Sequence, residues 1–302
     1  MRRTSRRIWR LAAGTITVAL FAACSTSPST APSLQNPVLT QPQANAVAEL
    51  VASDAASLVG GATLDAATGM PFAVAPMPGA PALAPSTATC TPTRSPSPPT
   101  NSDGDPVPDS VRVDFTGCTF TGDGHTVTLS GSIDIVDPTP ATTDRAFRTR
   151  SNAFTRTVTN STGTTRSVVE NGVRSVVGTA DQIQLLDTTQ TDYTYGSGTT
   201  ASHARKWLAT FAADQTGSIQ MGSRLPSGTW TISGSSTYTP GTNSYSLSVT
   251  TSDPLPYNTS CSVEPRFDSG TLTVHVTKGT TSTTVTITFT GCGQYSVNRS
   301  AA

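Results

Sequence analysis

Leu272, Val274 and Val276 alternate with Thr271, Thr273, His275 and Thr277. A few residues later Val285, Ile287 and Phe289 alternate with Thr284, Thr286, Thr288 and Thr290. A period of two places one set on each face of an extended chain, which a helix of period 3.6 cannot do. One apolar and one polar face call for an antiparallel sheet with one side wet. The same period appears at Val111, Val113 and Phe115; at Val127, Leu129, Ile133 and Ile135; at Phe154 and Val158; at Trp230 and Ile232; and at Tyr245, Leu247 and Val249. Gly131 marks a bulge within its run. Asn171-Gly172, between Val168-Val169 and Val173-Val176-Val177, reads as a two-residue hairpin turn. The composition agrees: threonine occurs 55 times, glycine 24 times, and glutamate only at Glu49, Glu170 and Glu264. Many residues that suit strands, with few helix formers, point to an all-β fold. We expect an antiparallel meander of a dozen or so strands over 111–302, forming a sandwich or a strongly curled sheet, with one short N-terminal helix.

The first third of the chain reads differently. From Pro71 to Pro108 there are 11 prolines. Proline cannot donate to a sheet ladder, so 61–110 reads as an extended connector. Over 44–60, Val47, Leu50, Val51 and Leu58 fall near helical spacing, and Gly60-Gly61 ends the run. A short helix packed on the body is expected there. Residues 24–43 are mostly Ser, Thr, Pro, Gln and Asn, the composition of a flexible tether.

Residues 1–10 carry Arg2, Arg3, Arg6, Arg7 and Arg10, and Leu11 to Ala23 is a continuous apolar stretch ending at Cys24. A spanning helix needs ~20 apolar residues, so this run has the length of a signal-peptide core over 1–23. Its end, Leu20-Phe21-Ala22-Ala23-Cys24, resembles the lipobox of bacterial lipoproteins. The resemblance implies a diacylglyceryl group on Cys24, cleavage before it, and a fatty acid, typically palmitate, on the new amino group. The membrane is then the partner, reached through lipid. Ser25 is not the aspartate that retains many lipoproteins at the inner membrane, so the outer membrane is expected in a host with two. Removing the signal takes five of the 19 basic residues, leaving 14 against 19 acidic, a net charge of −5. Nucleic acid needs a basic footprint and is not an expected partner.

Four cysteines remain, an even number in an exported protein, which calls for two disulfides. Val111 to Cys118 and Val285 to Cys292 both end Phe-Thr-Gly-Cys, each with a cysteine upstream, Cys90 and Cys261. The echo favours local pairs, Cys90–Cys118 and Cys261–Cys292, and a hairpin over 271–290 would bring the second pair together. Pairing between the halves is the alternative.

Asn101, Asp103, Asp105 and Asp109 place oxygen side chains at alternate positions, with the Val107 carbonyl between. The stretch resembles the Asp-rich calcium loops of thrombospondin type 3 repeats and EF-hands, which implies calcium as a cofactor. Pro106 stands where an EF-hand has glycine, and Arg112 where it has a bidentate glutamate. An acidic turn before the first strand is the competing and preferred reading.

No G-x-S-x-G, H-E-x-x-H or phosphate-binding glycine loop occurs, and His125, His203 and His275 are scattered, so no catalytic residue is assigned. Arg148, Arg150 and Arg156 share one parity and would face one side of a strand. The whole chain resembles uncharacterised bacterial lipoproteins with a Thr-rich β ectodomain. The expectation is a lipid-anchored envelope protein with a non-enzymatic structural or ligand-binding role toward a protein or glycan. The alternatives are a carrier shielding an apolar molecule in a curled sheet, which needs an open apolar concavity, and a surface glycan hydrolase, which needs two facing carboxylates.

Overall fold

A computed structural model describes residues 38–64, 87–89, 92–122 and 125–301. The signal segment, Cys24 and Cys90 lie outside the described residues.

Helix α1 runs Gln41–Gly60. Its start is set by a capping box: the Gln43 N–H donates to the Thr40 hydroxyl, and the Thr40 N–H donates to Gln43 Oε1 at 2.8 Å. Pro42 occupies the first turn, where its missing N–H costs nothing. Gly61 caps the end. The helix therefore begins three residues before the start that its apolar spacing predicts. The tether also ends earlier. Leu39 is fully buried; its N–H donates to the Thr283 hydroxyl and its carbonyl accepts from Arg299 Nη1 at 2.9 Å.

The strands are β1 Thr87–Thr89, β2 Thr93–Thr100, β3 Ser110–Gly122, β4 His125–Val136, β5 Phe147–Thr159, β6 Thr165–Gly178 and β7 Gln182–Thr194. There follow β8 Thr200–Ala213, β9 Gly228–Pro240, β10 Tyr245–Asp253, β11 Leu255–Tyr257, β12 Thr271–Lys278, β13 Thr281–Gly291 and β14 Gln294–Ala301. All 14 form one antiparallel sheet in the order β1-β3-β4-β5-β6-β7-β8-β9-β10-β12-β13-β14. The short β11 pairs with β9 beside β10, and β2 pairs with β3 beside β1. The expected all-β meander is present, as a single sheet rather than two packed ones.

That sheet is curled, as one helix demonstrates. Side chains of β6, β8 and β13 and the β14 strand all reach α1 and its N-terminal approach. Seven strand spacings separate β6 from β14 along the sheet, roughly 33 Å if flat. A 20-residue helix is about 30 Å long, so these end-to-end contacts alone would also fit a helix laid across the strands. Burial decides: from Val47 to Val59 almost every residue of α1 is enclosed, with no wet face, so the sheet curls around it. The inward rows of the strands supply the enclosing surface: Val176, Leu185, Ala209, Ile232 and Leu272, and beside them Ile183, Phe211, Trp230 and Leu255.

The structure departs from three sequence expectations. Asn171-Gly172 is not a turn, because β6 runs straight through it. A side chain at Gly172 would place its Cβ 2.5 Å from the Thr188 carbonyl, so glycine is required by the close approach of β7. Asn171 instead serves β5: its Oδ1 accepts the Ala153 N–H at 2.7 Å. Ala153 sits at φ 46 in a bulge, next to Gly131, whose Cβ would lie 2.2 Å from the Ala153 carbonyl. That bulge shifts the parity of β5 and breaks the arginine row. Arg148 and Arg150 face out with the exposed residues, while Arg156, beyond the bulge, is largely enclosed. Burial pulls its pKa down to about 10. Finally, β structure starts before Val111. The Pro-rich connector contributes β1 and β2, but only along the open edge of β3, the place where proline is tolerated. Strand β3 also continues through Phe-Thr-Gly-Cys by a register shift between Phe115 and Cys118, whereas β13 stops at Gly291.

Candidate functional site

Where α1 meets the inner face of β6, β7 and β8, the packing changes from apolar to charged. Glu170, Arg174, Asp187 and Arg205 occupy inward positions on their strands, in rows with buried apolar neighbours. Asp54 and Ser57 approach from the helix. Arg174 Nε lies 3.2 Å from Asp187 Oδ1, and its Nη2 reaches Glu170 Oε2 at 3.2 Å and Ser57 Oγ at 2.9 Å. Arg205 Nε pairs with Asp187 Oδ2, and its Nη1 lies 2.5 Å from Asp54 Oδ1. The Thr189 hydroxyl donates to Asp187, and the Ser151 hydroxyl to Glu170 at 2.8 Å. Carboxylate and guanidinium thus alternate from Glu170 to Asp54.

Burial alone would raise the pKa of Asp187. Arg205, Arg174 and the Thr189 hydroxyl outweigh it and hold the carboxyl below its ordinary range. Burial likewise opposes the charge on Arg205, while Asp187, Asp54 and Glu170 stabilise it, so Arg205 stays firmly protonated. Burial pushes the Tyr193 hydroxyl well up, and the Asp54 charge adds to it.

His203 ends the chain. Its Nδ1 is 3.0 Å from Asp54 Oδ2, but off the line a hydrogen bond requires, and neither ring nitrogen has a hydrogen-bond partner. Thr191, opposite His203 on β7, also has an unpartnered hydroxyl, so the two do not bond to each other. An acid beside a histidine with no nucleophile bonded to it, all beneath a helix, is not the nucleophile–base arrangement of acyl transfer. What the cluster does is fix the helix: contacts 117 and 151 residues apart in sequence tie Ser57 to Arg174 and Asp54 to Arg205. The sequence did carry a signal for it. Arg174, Asp187, His203 and Arg205 share the parity of Val176, Leu185, Trp207 and Ala209, and a charge at a core-facing position must find a partner.

Cys261 and Cys292 form a disulfide, Cα–Cα 5.5 Å, beside the β12–β13 hairpin. Cys118 is also disulfide-bonded, and the Cys261–Cys292 bond excludes a link between it and that pair. Cys90, its expected partner, is outside the described residues, as is the lipidation residue Cys24.

The five residues expected to hold calcium do not converge. Asn101 spends its side chain inside the loop, accepting from the Gly104 N–H at 2.8 Å and donating to the Asp105 carbonyl. Asp109 turns away to accept the Ser102 N–H at 2.8 Å and its hydroxyl at 2.6 Å, and those bonds lower its pKa. Val107 is buried, its N–H donating to Asp105 Oδ1 at 2.6 Å. Only Asp103 and Asp105 point together, and they meet Asp137, from the loop after β4. His125 and His275 sit in strands β4 and β12; His275 Nδ1 and the Thr284 hydroxyl are 3.0 Å apart on the wet face.

A small cleft of ≈ 40 Å³ lies beyond the C-terminal end of α1, lined by Val59, Thr63, Tyr257, Glu264 and Arg266 among others. Among the described residues Glu264 is its one carboxylate; burial raises its pKa, outweighing the lowering by Arg266 2.7 Å away. No family model, curated protein or solved structure matches the chain.

Proposed function

We propose that this chain is a lipid-anchored protein of the bacterial cell envelope, with a non-enzymatic structural or ligand-binding role. The observation that carries the reading is the N-terminal sequence: an arginine-rich start, an apolar run from Leu11 to Ala23, and Ala22-Ala23-Cys24 at its end. A disulfide in the folded part agrees with export to an oxidising compartment. The interior bears on the role. A carrier needs an open apolar concavity, and here the concave face is filled by α1. A glycan hydrolase needs two facing carboxylates in a groove. Asp54, Glu170 and Asp187 are instead paired with arginines beneath the helix, and Asp103, Asp105 and Asp137 gather between two loops with Asp105 and Asp137 buried rather than lining a groove. Anchored outside the inner membrane, such a domain would present its Thr-rich convex face to protein or glycan partners.

The test is metabolic labelling with a fatty acid in cells expressing the wild type or Cys24→Ser. Label on the wild type alone, with the variant released from the membrane fraction or left as precursor, is expected. Equal labelling of both, or of neither, would remove the basis of the reading.

A further inference from the structure

Asp103, Asp105 and Asp137 repeat one arrangement. Each spends Oδ1 on a nearby backbone N–H: Asp105 at 3.0 Å, Val107 at 2.6 Å and Thr139 at 2.7 Å respectively. Each leaves Oδ2 buried with no hydrogen-bond partner. One carboxylate oxygen from each residue lies within 4.8 Å of one from each of the others. Asp105 is 6% exposed and Asp137 only 3%. Among the described residues, no lysine or arginine pairs with any of the three. Burial and the charges of Asp103, Asp137 and Asp144 raise the pKa of Asp105, against the lowering by the Val107 N–H.

Turn capping accounts for one oxygen of each carboxylate and leaves the other unexplained. A buried carboxylate oxygen without a donor is unfavourable, and three carboxylates that each carry one and gather within 4.8 Å are more so, unless a cation sits between. The site is also built rather than incidental. The loop after β4 is laid over the 101–109 loop by the Asp137 N–H bonding the Asp109 carbonyl at 3.2 Å and the Thr143 hydroxyl bonding the Asp103 carbonyl at 3.3 Å. Two loops far apart in sequence thus bring three hard anionic oxygens to one point. We propose that Asp103, Asp105 and Asp137 bind a calcium ion that clamps the 101–109 loop to the loop following β4. An all-oxygen donor set suits a hard cation. Oxygens within 4.8 Å of one another can share one ion, and three protein carboxylates at one point suit calcium, which takes about six to eight oxygens in flexible geometry, better than magnesium, which keeps several waters and is held by one or two carboxylates. Water and backbone carbonyls complete the shell. This assignment is independent of the lipid anchor.

The experiment uses the full chain purified in detergent and stripped with EDTA. Melting temperature and calorimetric heat are followed during titration with calcium chloride, and separately with magnesium chloride. The wild type is expected to give saturable heat and a rising melting temperature, with half-saturation at or below about 1 mM calcium, the weak end of extracellular sites. Asp137→Asn keeps the Thr139 cap but removes a ligand charge, and should weaken calcium binding at least about tenfold. In EDTA the same variant should melt no lower than the wild type, because it relieves repulsion; this separates a lost ligand from a damaged fold. Asp192→Asn, an exposed carboxylate on β7 away from both loops, should keep its calcium response. No response of the wild type up to about 10 mM calcium would overturn the proposal. So would an unchanged response in Asp137→Asn, or an Asp137→Asn protein that melts lower than the wild type in EDTA. An equal response to magnesium would overturn the choice of calcium.

Discussion

Replacing Asp187 by asparagine tests whether the charged cluster holds α1 inside the sheet. Asp187 is fully buried and lies between Arg174 and Arg205. Asparagine keeps its volume and one acceptor for Thr189, so packing is preserved and charge is lost. Two guanidinium groups then share only Glu170, at one end, and Asp54, at the other. Removing one partner from a buried ion-pair network typically costs about 3–5 kcal/mol. For a domain of this size that is a fall in melting temperature of roughly 6–20 °C. The pH profile gives a second signature. The folded-state pKa of Asp187 is depressed, so its contribution is present above the unfolded value and is lost as pH falls through the folded one. Wild-type stability should therefore decline as the medium is acidified below about pH 4, and the Asp187→Asn decline should be shallower. Circular dichroism melts across pH, on both proteins, read both quantities. A loss below about 1 kcal/mol at neutral pH, or identical acid profiles, would refute the electrostatic latch.

Two smaller changes test the sheet. Ala153 is exposed and left-handed at φ 46, a conformation that costs an L-residue roughly 1–2 kcal/mol. Ala153→Gly should therefore stabilise by up to about 1 kcal/mol after the entropy of a freer unfolded chain, read as a higher urea midpoint at unchanged slope. Cys261→Ser opens a loop spanning 31 residues, which the chain-entropy model values at roughly 3–4 kcal/mol. The loss should match that seen when the wild type is melted with reductant, to the extent that the bond at Cys118 survives reduction.

The period-two runs made the strands legible, because a sheet with one buried face writes its register into alternation. Leu272 to Val276 and Val285 to Phe289 form the hairpin that their pattern implies, and Cys261–Cys292 follows from it. Asn171-Gly172 misled because the demand that glycine answers there, room for the Thr188 carbonyl, arises from a neighbouring strand and is invisible locally. Arg156 misled for a related reason: a bulge set by Gly131 and Ala153 changes which face a fixed parity addresses. Helix α1 was legible as a helix. Its place inside the curl was less so, although Ala44, Ala48, Ala52, Ala55 and Ala56 are small enough for close approach on several sides. At the acidic loop, Asp103 and Asp105 stood out by spacing. Asp137 did not, since it joins them only when the strand pair β3–β4 closes and sets its two ends side by side.

Two features stand together: the proposed lipid anchor, and an interior occupied by the protein's own helix. Native mass spectrometry of the protein extracted from membranes tests both at once. The expected mass is that of the chain from Cys24 onward plus a diacylglyceryl group and fatty acid, with no further apolar molecule retained. A chain still carrying residues 1–23, an unmodified Cys24, or a bound lipid lost only on unfolding would contradict one or the other.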